Sequence, residues 1–293
     1  MAKGDGAVSE VAGAPISWGV CEVPGWGHQL APDRVLAEMR QLGLAATEFG
    51  PDGFLPADPD RRGALLESYG LRAVGGFVPV VLHDPARDPL PDVAAQLDSF
   101  GPAGTLVLAA ATGLDGYDDR PVLDATAWTT LLANLDRLAG YAADRGVRAT
   151  LHPHVGTLVE RGAEVDRVLD GSAISLCLDT GHLFIGGTDP LALARTAPDR
   201  IAHAHLKDVD TALAGQVRRG TLTYTEAVRA GMYRPLGGGG IDIAGIVRAL
   251  DGAGYDGWYV LEQDTIVEAE PAPAAGPYDD VRTSIAYLGE LIP

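Results

Sequence analysis

Short apolar runs alternate with amphipathic stretches along almost the whole chain. The runs at residues 14–20, 44–49, 71–81, 105–110, 147–154, 174–179, 201–206 and 258–262 read as strands. Between them, apolar side chains recur at three- and four-residue spacing, the mark of a helix with one buried face. Residues 32–43 carry Val35, Leu36, Met39 and Leu42 as such a stripe, with Asp33 in the first turn and Gly43 as a stop. Residues 124–146 place Trp128, Leu131, Leu132, Leu135 and Leu138 inward, and further helices are predicted over 60–70, 91–100, 160–169, 190–196, 241–252 and 279–291. Strands that alternate with helices predict a parallel sheet, because parallel neighbours need long crossovers. Eight such units close into a (β/α)8 TIM barrel, an α/β fold in one domain over residues 14–293. Residues 1–13 read as a flexible leader with no apolar signal segment.

An open, doubly wound sheet is the competing architecture. It would show a glycine-rich phosphate turn after the first strand, and none is there. The Gly237-Gly238-Gly239-Gly240 run precedes a helix but follows no strand, so it reads as a hinge or tight loop. A long excursion at 207–240 interrupts the seventh unit.

Composition narrows the partners. Apolar residues make up 46% of the chain, enough for a large core. The net charge of −18 argues against nucleic acid and against an anionic membrane surface, since both need basic patches. No apolar run approaches a membrane span. The two cysteines, Cys21 and Cys177, form neither a disulfide framework nor a zinc motif, which points to a cytoplasmic protein. Cys177 reads as core and Cys21 as a loop residue bordering the pocket. A homo-oligomer remains open.

The chemistry lies at the far ends of the strands, where barrels build their active sites. Leu176-Cys177-Leu178-Asp179-Thr180-Gly181-His182 is an apolar run ending on a carboxylate, with a histidine across a small-residue turn. The same grammar recurs at Leu151-His152-Pro153-His154, at Ala202-His203-Ala204-His205-Leu206-Lys207-Asp208, and at Trp258-Tyr259-Val260-Leu261-Glu262. Glu48 ends the second strand. Five of the seven histidines fall between residues 152 and 205. Alternation puts His152 with His154, and His203 with His205, on common faces, one of each pair deeper. Taken singly, Asp179 reads as a turn cap and Glu262 as an ion-pair partner of Lys207 or Arg234. Taken together on four consecutive strands, they are most economically explained by a divalent cation, because buried ionisable groups must be paired or metal-bound. Mixed nitrogen and oxygen ligation suits Mn2+, Co2+, Zn2+ or Fe2+.

These segments carry a resemblance. His152-Pro153-His154-Val155-Gly156-Thr157, Leu178-Asp179-Thr180-Gly181-His182, Arg200 through Asp208, Pro235 through Asp242 and Gly257 through Asp264 resemble the sugar phosphate isomerase/epimerase-like barrels, which include xylose isomerase and endonuclease IV. Within that group the chain is most similar to the inosose dehydratases. The first half resembles them more loosely, through Ala14-Pro15-Ile16-Ser17-Trp18 and Thr47-Glu48-Phe49-Gly50. The resemblance implies one divalent metal, Mn2+ or Co2+ first, with Zn2+, Fe2+ or Mg2+ as alternatives. It implies Asp179, His205 and Glu262 as ligands, with His152 standing where the isomerases and epimerases carry a glutamate. That departure favours dehydration of a polyhydroxylated cyclic ketone, such as an inosose, over the isomerase/epimerase alternative. The roles expected are His154 or Glu262 as base and His182 as acid. Trp18, Glu48, Lys207 and Arg234 are expected around the substrate, and the 207–240 excursion as a lid.

Overall fold

The computed structural model describes residues 11–114 and 119–292; residues 1–10 of the expected leader lie outside them. The strands are β1 (Val11–Gly13), β2 (Ala46–Thr47), β3 (Arg72–Ala73), β4 (Gly75–Val80), β5 (Thr105–Ala110), β6 (Arg148–Leu151), β7 (Ser175–Asp179), β8 (Ile201–Leu206), β9 (Asp208–Val209), β10 (Tyr233–Arg234) and β11 (Tyr259–Leu261). The helices are α1 (Pro32–Gln41), α2 (Pro59–Ser68), α3 (Leu90–Asp98), α4 (Ala125–Ala143), α5 (Gly162–Gly171), α6 (Thr180–Gly186), α7 (Pro190–Thr196), α8 (Thr211–Arg218), α9 (Tyr224–Arg229), α10 (Ile243–Gly252) and α11 (Pro277–Gly289). Among the described residues, no helix is long and apolar enough to cross a membrane.

The parallel sheet runs β3-β2-β1-β11-β8-β7-β6-β5-β4, and β9 and β10 form a separate antiparallel pair. β3 and β4 are two parts of one strand divided at Val74. Arg72–Ala73 pairs with β2, and Gly75–Val80 pairs with β5. The Val74 amide donates to Thr47 O at 3.0 Å, while its own carbonyl accepts from Thr105 N at 3.1 Å. This residue passes the strand from one neighbour to the other and closes the barrel. Gly75 and Gly76 make the closure feasible. A Cβ on Gly75 would overlap the Thr105 carbonyl, and one on Gly76 would lie 2.8 Å from the Phe49 ring.

The helical layer follows the apolar stripes. In α4, Asp124 caps the first turn by accepting from Ala127 N at 2.8 Å, and Trp128, Leu131, Leu135, Leu138 and Ala142 face the sheet. Leu132, expected inward with them, is only half-buried. Barrel strands are buried on both faces, as all six residues of β5 are.

The first strand differs from expectation. It is Val11–Gly13, in register with Tyr259–Leu261, and residues 15–18 form a 3-10 turn. Pro15 has no amide to give a ladder, and Gly19 (φ 79°) reverses the chain. Residues 11–13 are therefore barrel, not leader.

The 207–240 excursion is folded. The Asp208 carboxylate at β9 accepts from the amides of Val209, Gly237, Gly239 and Ile241 at 2.9–3.0 Å. The glycine run is thus a tight loop, because a Cβ on Gly239 would collide with that carboxylate.

Candidate active site

Glu48, His152, Asp179, His205, Lys207 and Glu262 all reach the C-terminal mouth of the barrel from five different strands or the residues just after them. All are buried. A cavity of about 290 Å³ opens there, lined by His152, His154, His205, Lys207, Glu48, Glu262 and Asp264, with Trp26, Phe77 and Tyr224 as aromatic walls. That volume suits a small polar ligand.

Asp179 has two tasks. Its Oδ1 accepts from His182 N at 2.7 Å and so caps α6, a helix that the sequence reading had taken as a turn. Its Oδ2 faces His152 Nε2 at 3.1 Å, Lys207 Nζ at 3.5 Å and His205 Nδ1 at 3.7 Å. Burial opposes its charge, but Lys207 and the surrounding histidines hold its carboxyl well below the usual range.

His205 is oriented from beneath. Its Nε2–H donates to Glu48 Oε1 at 3.0 Å, and His203 donates to the same oxygen at 2.8 Å. His203 is the deeper of the pair. Burial opposes the charge of Glu48 as well, yet the two imidazoles keep it ionised. Burial opposes a second proton on His205, but Cys177, Glu262 and Glu48 raise its pKa well above the usual imidazole range, so without an ion the ring carries two protons, and a bound cation would displace the one on Nδ1. Nδ1 lies 3.1 Å from Glu262 Oε2. Asp179, His205 and Glu262 therefore present three ligand atoms within 4.8 Å of one another. Distance alone would make the His205–Glu262 approach an ion pair. Without an ion it is one, and a bound cation would take the place of the Nδ1 proton between the same three groups.

Charge points the same way. Four carboxyl groups, those of Glu48, Asp179, Glu262 and Asp264, are buried here beside the ammonium of Lys207 and the imidazole of His205. Such an excess of negative charge is costly without a cation. The donor set of imidazole nitrogen and carboxylate oxygen fits a divalent transition ion. His152 joins the set through Asp179, at 3.1 Å.

Lys207 Nζ contacts Asp264 and lies 2.9 Å from Glu262 Oε2. Burial works against its charge, but Asp179, Asp264 and Glu262 keep it protonated, well above the ordinary lysine range. His154 Nδ1 donates to Val155 O at 2.6 Å, which fixes the tautomer of the ring. Burial, with His152 and Lys207 nearby, pulls its pKa down to about 3, so it is a neutral imidazole near neutral pH.

Three expected site residues are corrected. His182 does not line the cavity; its ring lies behind that of His154, with centroids 3.7 Å apart. Burial and His154 keep it neutral, so it has neither the reach nor the proton of an acid. Trp18 is core, fully buried, with its indole N–H donating to Glu38 at 2.8 Å. Arg234 is exposed and faces Asp210 at 3.5 Å. Arg218 turns to the carbonyls of Phe184 and Ile185, so the excursion covers the site with tyrosines rather than arginines.

Sequence reasoning missed Asp264, Tyr224 and Tyr233. Asp264 joins Lys207 to Tyr224, whose hydroxyl lies 2.9 Å from that of Tyr233. Burial pushes the Asp264 carboxyl up. Its signal was the spacing Glu262-Gln263-Asp264, since alternate residues of an extended segment share a side. The tyrosines gave none, because tertiary folding of the excursion brings them in. Cys177 is core as expected, and Cys21 borders the cavity.

A sequence model of xylose isomerase-like TIM barrels matches residues 36–288. An inosose dehydratase of Geobacillus kaustophilus (strain HTA426) is 33% identical over 295 residues, covering 95% of this chain and 93% of its own. The rhizopine catabolism protein MocC of Rhizobium meliloti is 33% identical over 272 residues, covering 87% and 81%. Among solved structures, an L-ribulose 3-epimerase superposes with a TM-score of 0.67 at 17% identity, covering 96% of this chain and 94% of its own. The IolI protein, solved with a zinc atom, gives 0.66 at 14% identity, covering 96% and 97%. These two structures share the fold.

Proposed function

The chain belongs to the xylose isomerase-like TIM barrel family, and on that premise we propose that it is a cytoplasmic, divalent-metal-dependent dehydratase of an inosose or a closely related polyhydroxylated cyclic ketone. The substrate class is supported by the dehydratases it resembles over nearly its full length. The observation that carries the chemistry is the convergence of His205 Nδ1 with the carboxylates of Asp179, at 3.7 Å, and Glu262, at 3.1 Å, three ligand atoms within 4.8 Å of one another. Asp179, His205 and Glu262 would hold the ion, with His152 as the fourth ligand and Mn2+ or Co2+ as the first candidates. Bound there, the ion supplies Lewis acidity towards a ketone oxygen and acidifies the adjacent C–H.

The side chains divide the remaining work. His154 is neutral and lines the cavity, so it is placed to take the α-proton. Lys207 is protonated at the cavity wall, so it can hydrogen-bond the departing β-hydroxyl and deliver a proton to it. One C–H and one C–O bond break, a C=C bond forms, and water leaves. Asp264 and Tyr224 fix Lys207, while Trp26 and Tyr224 wall the site from solvent.

The test is the mass of the product formed from an inosose by metal-loaded protein. A loss of 18 mass units, on the order of one water, abolished by chelator and restored by Mn2+ or Co2+, is expected. A product of unchanged mass would replace this reading with isomerisation or epimerisation.

A further inference from the structure

Beside the catalytic cavity lies a second one of about 300 Å³. Gly50, Pro51, Asp52, Phe77, Val78 and Gln96 line both, and so form the wall between them. The second cavity has its own polar centre in Arg62 of α2, a side chain that is only 7% exposed. Its Nε donates to Pro56 O at 2.9 Å, and its Nη2 donates to Ala57 O at 3.1 Å. The guanidinium lies 4.1 Å over the ring of Phe49. These contacts hold the plane of the group, and among the described residues Nη1 has no hydrogen-bond partner. Gln96 of α3 also lines the cavity, and its side-chain amide is likewise without one. The rest of the lining is largely apolar, with Phe49, Leu55, Phe77 and Phe100. Asp52 is the single acidic residue in the lining; it is exposed and forms no ion pair with Arg62.

A guanidinium placed only to tie down residues 56 and 57 needs no cavity at its free edge. We propose that this cavity binds a compact organic carboxylate. Its carboxylate accepts from Arg62 Nη1 and the Gln96 amide, and its apolar body rests between Phe49, Phe77 and Phe100. One free N–H edge and one amide match a single carboxylate; a phosphate dianion would find too few donors in so apolar a space. The carboxylate belongs to a separate molecule, because an inosose carries none. This site stands whether or not the neighbouring cavity performs a dehydration.

The test is titration calorimetry with benzoate as the probe and benzyl alcohol as its uncharged counterpart. Saturable benzoate binding is expected, with benzyl alcohol about tenfold weaker or worse, the worth of a charge-assisted hydrogen bond. Arg62→Gln should lose about the same factor. Because Arg62 also ties residues 56 and 57, Ala95→Phe provides a second variant. Ala95 lines the cavity from exposed helix surface, and the larger ring would fill the space with Arg62 intact. It should abolish benzoate binding while leaving any inosose turnover at the wild-type level. Benzoate should bind together with an inosose; benzoate that excludes the inosose occupies the neighbouring cavity and would overturn the proposal. No saturable benzoate binding, equal binding by Ala95→Phe, or tighter binding of inorganic phosphate would overturn the proposal.

Discussion

Glu48 touches both His203 and His205 with one oxygen, so Glu48→Gln isolates the orientation of a ligand from the ligand itself. The carboxylate raises the basicity of His205 and fixes its proton on Nε2. A glutamine keeps the volume but brings a dipole in place of a charge, and its amide can also turn its donors towards the imidazoles. Losses of about 10–100-fold in metal affinity are usual when such an outer partner is removed. That corresponds to about 1.4–2.8 kcal/mol. Ion that binds only the folded state stabilises it in proportion to the logarithm of its affinity. The metal-dependent rise in Tm should therefore shrink by several degrees, at about 2–4 °C per kcal/mol for a large domain. The metal-free protein should lose little, because a costly buried charge has gone as well. Competition of Mn2+ or Zn2+ against a fluorescent chelator, run beside thermal melts with and without ion, reads both quantities. Affinity within threefold of wild type, in a protein whose metal-free Tm is also unchanged, would refute the assignment of Nδ1 of His205 as a ligand.

His205→Ala should remove stoichiometric metal altogether, as measured by elemental analysis of folded protein after gel filtration. Lys207→Met should bind metal yet turn over about 10²–10⁴-fold more slowly, the usual contribution of a positioned acid, which steady-state kinetics checks. Trp18→Phe should leave KM untouched while costing about 1–3 kcal/mol in a urea unfolding titration, because Trp18 serves Glu38 and not the cavity. Gly75→Ala should lower stability by about 3 kcal/mol or more or prevent folding, since its methyl group meets the Thr105 backbone; solubility and circular dichroism would reveal it.

The barrel and the convergence of the candidate ligands were legible in the chain for one reason. Strand ends in this fold are short and regular, so a polar residue closing an apolar run lands at the mouth. Asp179, His205 and Glu262 obey that rule, and their convergence follows from the parallel register that sets Asp179 beside His205 and Val260 beside His205. Orientation was not legible. Trp18 sits in the right segment, but a 3-10 turn rotates it into the core. His182 follows Asp179 closely, but a helix starting at Thr180 swings it behind His154. Tyr224 lies far from any strand in sequence, and only the packing of α8 and α9 carries it to the cavity. Arg62 and the second cavity arise where α2, α3 and the loop after β2 meet, a juxtaposition no local pattern encodes.

β1 pairs with β11, so that Val11 lies against Tyr259 and Gly13 against Leu261. During synthesis this edge of the first strand stays open until β11 has emerged. Glu262 follows directly on that late strand. The emergence of β11 therefore completes both the hydrogen-bonded ring and the set of candidate ligands. A nascent chain stalled before residue 258 would hold Asp179 and His205 without their third partner, with β1 and β8 edges open to other chains. The three candidate ligands thus come together only when the barrel closes.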